Sequence, residues 1–256
     1  MPAVVLHFEL PQRLGQHFLV NAPILQKLAE AACRDHVPRV VEIGAGRGAL
    51  TRYLVPRTDE LHVIELDRDL AEHLRRQFAS EAKLMIHEGD VLDMDLSQWG
   101  SAAIAGNLPY YITSPIIRKF LDLGRDFETA VFLVQREVAN RLMAGPGSRD
   151  YGYLSVMAHV VCSVELVCHV PTGAFSPPPK VESAAVRLQR RQYQRVDVNE
   201  LLKFVGRCFA QKRKTLRNNL RPFYGLAIDS MPEARLRAEQ LTIEQFADLL
   251  KRLKRA

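Results

Sequence analysis

Five short apolar runs, Arg39 to Ile43, Leu61 to Glu65, Lys83 to His87, Ala102 to Ala105 and Thr129 to Val134, recur between residues 39 and 134 of the chain. Between them, residues 22 to 35 and Asp67 to Ser80 carry apolar positions at helical spacing, whereas the runs themselves have the length and density of buried strands. A chain that alternates strand and helix in this way buries both sheet faces when its strands lie mostly parallel with helices on either side. Ligands of such sheets sit beyond the carboxyl ends of the strands. The predicted fold is therefore α/β, a Rossmann-like sheet with helices on both faces. From Asn199 onward the strand signals stop, and apolar residues recur at helical spacing in Leu201 to Ala210, around Leu216 to Leu220 and in Ile243 to Leu253. This predicts a small C-terminal all-helical domain, with the division at residues 1–190 and 191–256.

With 256 residues the chain is long enough for one sizeable core and a small appendage. No apolar run approaches the roughly 20 residues of a membrane span. The four cysteines at 33, 162, 168 and 208 are scattered, and the N-terminus lacks the pattern of a secretion signal, so a cytoplasmic protein is expected. Cys162 and Cys168 lie near His159 and His169 without the spacing of a zinc site. Their even separation along an extended segment predicts both thiols on one buried face, and no metal is expected. The net charge of +6 is unevenly held. Residues 1 to 186 contain 18 Lys/Arg against 22 Asp/Glu, whereas residues 187 to 256 contain 17 against 7. A slightly acidic body with a strongly basic tail implies a polyanionic partner gripped by the tail, nucleic acid above all.

The strand ends carry the polar residues. Glu42-Ile43-Gly44-Ala45-Gly46-Arg47-Gly48 sets close-spaced glycines after the first run, where absent side chains let a ligand approach the backbone. Such a turn suits NAD, FAD or S-adenosylmethionine, or no ligand at all. Its spacing departs from the pyrophosphate fingerprint, which has two residues between its second and third glycines, and so favours a methyl donor without pyrophosphate. Glu65, 21 residues after Gly44, ends the second run where a carboxylate can accept ribose hydroxyls. Asp90, after Gly89, can accept from an adenine amino group or make an ordinary Asx turn.

Asn107-Leu108-Pro109-Tyr110 follows the fourth run directly. The exocyclic amine of adenine is a weak nucleophile because its lone pair is delocalised into the ring. Acceptors that hold its hydrogens out of the ring plane, the Asn107 side-chain oxygen and the Leu108 carbonyl, restore that lone pair. Pro109 biases Leu108 toward extended backbone, and Tyr110 offers an aromatic face to a base removed from its stack. Arg213, Arg217 and Arg221 are expected to align on one helix face, with Lys212 and Lys214 beside them, as phosphate contacts require.

With these residues in this order, the chain resembles class I S-adenosylmethionine-dependent methyltransferases. More closely, it is similar to the ribosomal RNA adenine dimethyltransferase family. The likeness runs nearly end to end, through Gly15-Gln16-His17-Phe18-Leu19, Asn107 to Ile116, Gln135 to Ala139, Phe175 to Ser183 with its Ser176-Pro177-Pro178-Pro179 run, and Gln211 to Leu220. The resemblance implies dimethylation of two adjacent adenosines near the 3′ end of small-subunit rRNA within an immature 30S particle. Residues 1–190 are then the cofactor-binding catalytic domain and 191–256 the basic RNA-binding domain. His17 and the main chain near Leu19 are implied to close over the methionine end of the cofactor, with Gly44 beside it, Glu65 on the ribose and Asp90 on the adenine. Asn107 bridges cofactor and target, and Phe175 supports the face of the base opposite Tyr110. The family usually has Asn where His17 stands, Asp where Asn21 stands and Pro where Ala45 stands; an imidazole at 17 is expected to make cofactor affinity sensitive to pH near neutrality. A large-subunit rRNA methyltransferase, a catalytically silent assembly factor and a DNA adenine methyltransferase are the rival readings. Nothing in the sequence calls for an obligate partner, so a monomer is expected.

Overall fold

A computed structural model of the chain describes residues 17–123, 127–191 and 196–255. Gly15 and Gln16 of the first motif lie outside them. A two-residue strand β1 (Phe18–Leu19) leads into helix α1 (Ala22–Ala32). Strand β2 (Val37–Ile43), the short helix α2 (Thr51–Leu54), β3 (Thr58–Glu65), α3 (Arg68–Gln77), β4 (Leu84–Glu88) and β5 (Ala102–Asn107) follow. The next elements are α4 (Thr113–Asp122), β6 (Phe127–Gln135), α5 (Arg136–Met143) and α6 (Tyr153–Val161). The body ends with β7 (Cys162–Val170), the two-residue β8 (Phe175–Ser176) and β9 (Ser183–Arg190). Local chemistry explains the helix starts. Asn21 caps α1 by accepting from the Ile24 N–H, as an Asp would, and Asp67 caps α3 through the Asp69 and Leu70 N–H groups.

The seven long strands form one sheet in the order β4-β3-β2-β5-β6-β9-β7. The first five are parallel to their neighbours, and β9 runs antiparallel to both β6 and β7. Successive side chains alternate between two apolar layers. Val41, Ile43, Ile104, Phe132 and Val186 face one layer, and Val40, Ala103, Ala105, Val131 and Leu133 face the other. The first layer contains the buried residues of α4, α5 and α6; the second contains those of α1 together with Leu54 and Leu74. Strand β7 changes face midway. Its register shifts between Leu166 and Cys168, so Cys162 packs in the first layer and Cys168 against the second, which corrects the expectation that both thiols share one face.

Helices α7 (Val198–Cys208), α8 (Leu216–Tyr224) and α9 (Ile243–Arg255) close the chain. Their buried residues, among them Phe204, Leu220 and Phe246, join the first layer in one continuous apolar cluster with Tyr151, Val156 and Phe132. Buried Asn219 fastens the turn between α7 and α8, its Nδ2 donating to the Cys208 carbonyl at 2.7 Å and the Gln211 carbonyl at 3.2 Å. Asn219→Ala removes the donor to both and is expected to cost about 2 kcal/mol of stability. Urea unfolding checks this, and an unchanged midpoint would show that water replaces the amide.

Candidate active site

Parallel register brings the carboxyl ends of β2, β3, β4 and β5 to one edge of the sheet, and two adjoining cavities open there. The first holds about 790 Å³ of atom-free space and is lined by residues including His17, Leu19, Glu42, Gly44, Glu65 and Asn107. Leu108 and Tyr110 complete that wall. The second holds about 470 Å³ and is lined by Leu66, Gly89, Asp90 and Tyr111; Gly44, Glu65 and Pro109 belong to both. The cleft thus gathers all six sequence-predicted cofactor residues and three of the four predicted catalytic ones.

The glycine turn works at close quarters. Gly46 has φ of +58°, and a Cβ there would lie 2.9 Å from the Phe18 ring, which rests on the turn beneath the Arg47 guanidinium, 4.7 Å from the ring centroid. Phe18 reaches that position because β1 pairs antiparallel with β8, Phe18 opposite Ser176 and Leu19 opposite Phe175, so that residues 17–20 form a strap over the cavity. The Val20 N–H donates to the Ala174 carbonyl at 2.9 Å, and His17 Nδ1 donates to the Pro177 carbonyl at 3.0 Å. The strap also reaches Asn107, whose Nδ2 donates to the His17 carbonyl at 3.0 Å. A carbonyl only accepts, so this contact commits the amide nitrogen and leaves Oδ1 available as an acceptor.

The carboxylates are held by the backbone. Glu65 is buried, accepting from the Gly46 N–H at 2.8 Å and the Asp67 N–H at 3.0 Å; burial pushes its carboxyl above the usual range. Asp90 forms the Asx turn foreseen as its alternative, Oδ1 accepting from the Leu92 N–H at 2.8 Å, while its side chain still lines the second cavity. Glu42 went unrecognised from sequence, although an acid inside an apolar strand run was the available signal. It is 1% exposed, accepts from the Thr51 hydroxyl at 2.7 Å and is pushed up to about 8, by burial first and by the nearby Glu65 charge. Ser183 was quoted only as part of a motif, yet its Oγ lies 2.6 Å from the Tyr110 hydroxyl.

Other expected site residues stand elsewhere. Phe175 is 4% exposed, packs in the second apolar layer and does not line the cavity. Lys212, Arg213 and Lys214 are exposed in the turn before α8, so Arg213 does not share a helix face with Arg217 and Arg221: the helix starts only after Thr215, which bridges to Arg237. Lys212 Nζ donates to the Arg149 carbonyl at 2.8 Å. Arg217 pairs with Asp229 through bonds of 2.7 and 3.3 Å, and Arg221 reaches the same carboxylate at 3.8 Å. Among the described residues there is no cluster of His, Cys, Asp and Glu fit for a metal, and no helix is long and apolar enough to cross a membrane.

Burial of Glu42 gives stability a pH dependence of known sign. Below its ordinary value of 4.5 the group is protonated whether folded or not; between 4.5 and about 8 the unfolded chain releases the proton and the folded chain keeps it. Stability from this group therefore falls as pH rises through that window. Glu42→Gln keeps an acceptor for Thr51 and is expected to flatten the decline, raising ligand-free stability at pH 8 by on the order of a few kcal/mol. Urea midpoints measured from pH 4.5 to 8.5 check this; parallel curves for the two proteins would overturn it.

The model of the ribosomal RNA adenine dimethylase family matches residues 7–255. Ribosomal RNA small subunit methyltransferase A of Acidobacterium capsulatum is 43% identical over an alignment of 255 residues, covering 94% of this chain and 90% of that one. The protein of the same name from Shewanella oneidensis is 40% identical over 248 residues, covering 92% and 91%. Among solved structures, a dimethyladenosine transferase from Plasmodium falciparum superposes with a TM-score of 0.81 at 26% identity, covering 93% of this chain and 98% of that one. The 23S rRNA methyltransferase ErmE gives 0.74 at 27% identity, covering 93% and 99%. With the family model matched almost end to end and the strand-end cleft in place, this chain belongs to the ribosomal RNA adenine dimethylase family.

Proposed function

We propose that this enzyme dimethylates the exocyclic amines of two adjacent adenosines near the 3′ end of small-subunit (16S) rRNA, with S-adenosylmethionine as methyl donor. The observation that carries the reading is Asn107 at the end of β5, its amide nitrogen committed to the His17 carbonyl and its oxygen left to accept from an incoming amine. Relatives named for the small subunit are 38–43% identical to this chain, against 27% for ErmE, which supports the small-subunit substrate over the large.

The cavity suits the donor. Glu65 lines it, held by backbone N–H groups with its carboxyl placed to accept from ligand hydroxyls, and the Gly46 backbone leaves no room for a side chain beside the strap. When bound, S-adenosylmethionine supplies a methyl group already activated by its sulfonium sulfur, so the protein needs no metal and no strong base. Glu65 would hold the ribose, Asp90 the adenine, and His17, Leu19 and Gly44 the methionine end. Asn107 Oδ1 and the Leu108 carbonyl would take the hydrogens of the target amine, and Tyr110 would stack on the base. Phe175, buried behind the strap, would support the base from its far side only after a shift of strap or loop. The protein's task is alignment, which is catalysis by positioning.

Residues 1–190 form the catalytic unit in this reading and 191–256 the RNA grip, with Lys212, Arg213, Lys214, Arg217 and Arg221 on phosphates. The substrate is the rRNA of an immature 30S particle in the cytoplasm, and the enzyme acts as a monomer.

Incubation with labelled donor and unmethylated small subunits, naked rRNA or DNA tests the reading: label is expected in adenosines of the small-subunit rRNA, and label only in DNA or large-subunit rRNA would refute it. Asn107→Ala is expected to lose at least a thousandfold in turnover while RNA affinity stays within a few-fold, since it removes an acceptor that positions the nucleophile. Neutralising Lys212, Arg213 and Lys214 is expected to lower the log–log salt slope of RNA binding by up to about one unit each. Arg217 and Arg221 share Asp229, so their neutralisation is expected to lower it less. A slope untouched by the first three would move the RNA site elsewhere.

A further inference from the structure

Ser183 is fully buried at the first position of β9, and its Oγ is 2.6 Å from the phenolic oxygen of Tyr110. We infer that Ser183 is a positioning residue, pinning the Tyr110 ring beside Asn107, and that this hold governs the second methyl transfer to an adenosine more than the first. The inference rests on the dimethylation proposed above.

The topology explains how a residue 73 positions away in sequence reaches the site. Strand β9 runs against its neighbours, so its first residue lies at the carboxyl edge, with Ser183 opposite Gln135 at the end of β6 and Val170 at the end of β7. Tyr110 stands three residues beyond Asn107, the last residue of β5. Its ring is thus tethered at both ends, by the backbone of the Asn107 loop and by a hydroxyl bonded to a serine that belongs to the sheet. The His17 imidazole lies beside the ring, at 5.8 Å between ring centroids and a tilt of 32°. Burial pushes the Tyr110 phenol above its usual range, so the group stays neutral, and either hydroxyl can donate in the bond.

The two transfers place different demands on this ring. In each, the amine lone pair forms the new N–C bond, the methyl–sulfur bond breaks with its electron pair left on sulfur, and an N–H proton departs to water. The first amine has two hydrogens for the Asn107 Oδ1 and Leu108 carbonyl acceptors. After one methylation a single hydrogen remains, one acceptor has no partner, and the orientation of the base depends more on the aromatic face it lies against.

Ser183→Ala and Tyr110→Phe each delete the bond while keeping the ring. Both are expected to accumulate monomethyladenosine, raising the mono- to dimethyl ratio at matched total methylation on the order of tenfold. If Ser183 acts through the Tyr110 hydroxyl, the double variant is expected to match either single one, whereas independent structural damage would add. Product ratios read by mass spectrometry on digested small-subunit rRNA decide it. Additive effects, or a wild-type ratio in Tyr110→Phe, which leaves the core serine untouched, would overturn the assignment. Wild-type protein that methylates no adenosine would overturn the underlying reading, whereas an active wild type with unchanged ratios in the variants would remove the role of Ser183 alone.

Discussion

Parallel register is the constraint from which the site follows. Because β2, β3, β4 and β5 run the same way, the residue that ends each strand arrives at the same edge, and four segments far apart in sequence meet in one cleft. Glu65 and Asn107 end their strands and are placed by the hydrogen-bonded ladders beneath them, while Asp90, just past β4, is fixed by its Asx turn to Leu92. A slip of one residue in any strand would send its terminal side chain to the opposite layer, where apolar packing would reject it. The two alternating apolar layers thus secure the register, and the register secures the chemistry.

The edge needs a second direction of chain to be complete. A parallel strand delivers only its last residue there, whereas the reversed β9 delivers its first, together with the proline-rich segment before it. The strap of residues 17–20 is sewn to that segment by the β1–β8 pairing and by the His17 and Val20 bonds to Pro177 and Ala174. It then reaches across to Asn107 through the His17 main chain. Since the contact to Asn107 uses a carbonyl, a histidine serves there as well as the asparagine usual in the family. What changes with the side chain is the bond to Pro177.

Much of this was legible because it depends on short-range pattern. The strand and helix runs show in apolar spacing. The Asn107 loop shows in the chemistry of four consecutive residues. The misreadings arose where distant contacts decide the outcome. Leu166-Val167-Cys168 is uniformly apolar, so nothing local marks the bulge that moves Cys168 to the other layer. Arg213 has the spacing of a helix-face residue but precedes the helix, because Thr215 pairs with Arg237, 22 residues later. Glu42 could have been noticed as an acid among valines and isoleucine; the Tyr110–Ser183 bond could not, since it exists only once β9 is known to be reversed.

The apolar cluster beneath α7, α8 and α9 is continuous with the layer that covers one face of the sheet. The basic tail is therefore not a module strung on a linker. Phe204, Leu220 and Phe246 are as much a part of the catalytic body's core as Phe132 is, and cutting the chain near residue 190 would strip one flank of that core bare. A substitution on the inner face of these helices is therefore a substitution in the core that also covers the sheet, whereas exposed positions such as Arg217 and Arg221 can change without disturbing that core.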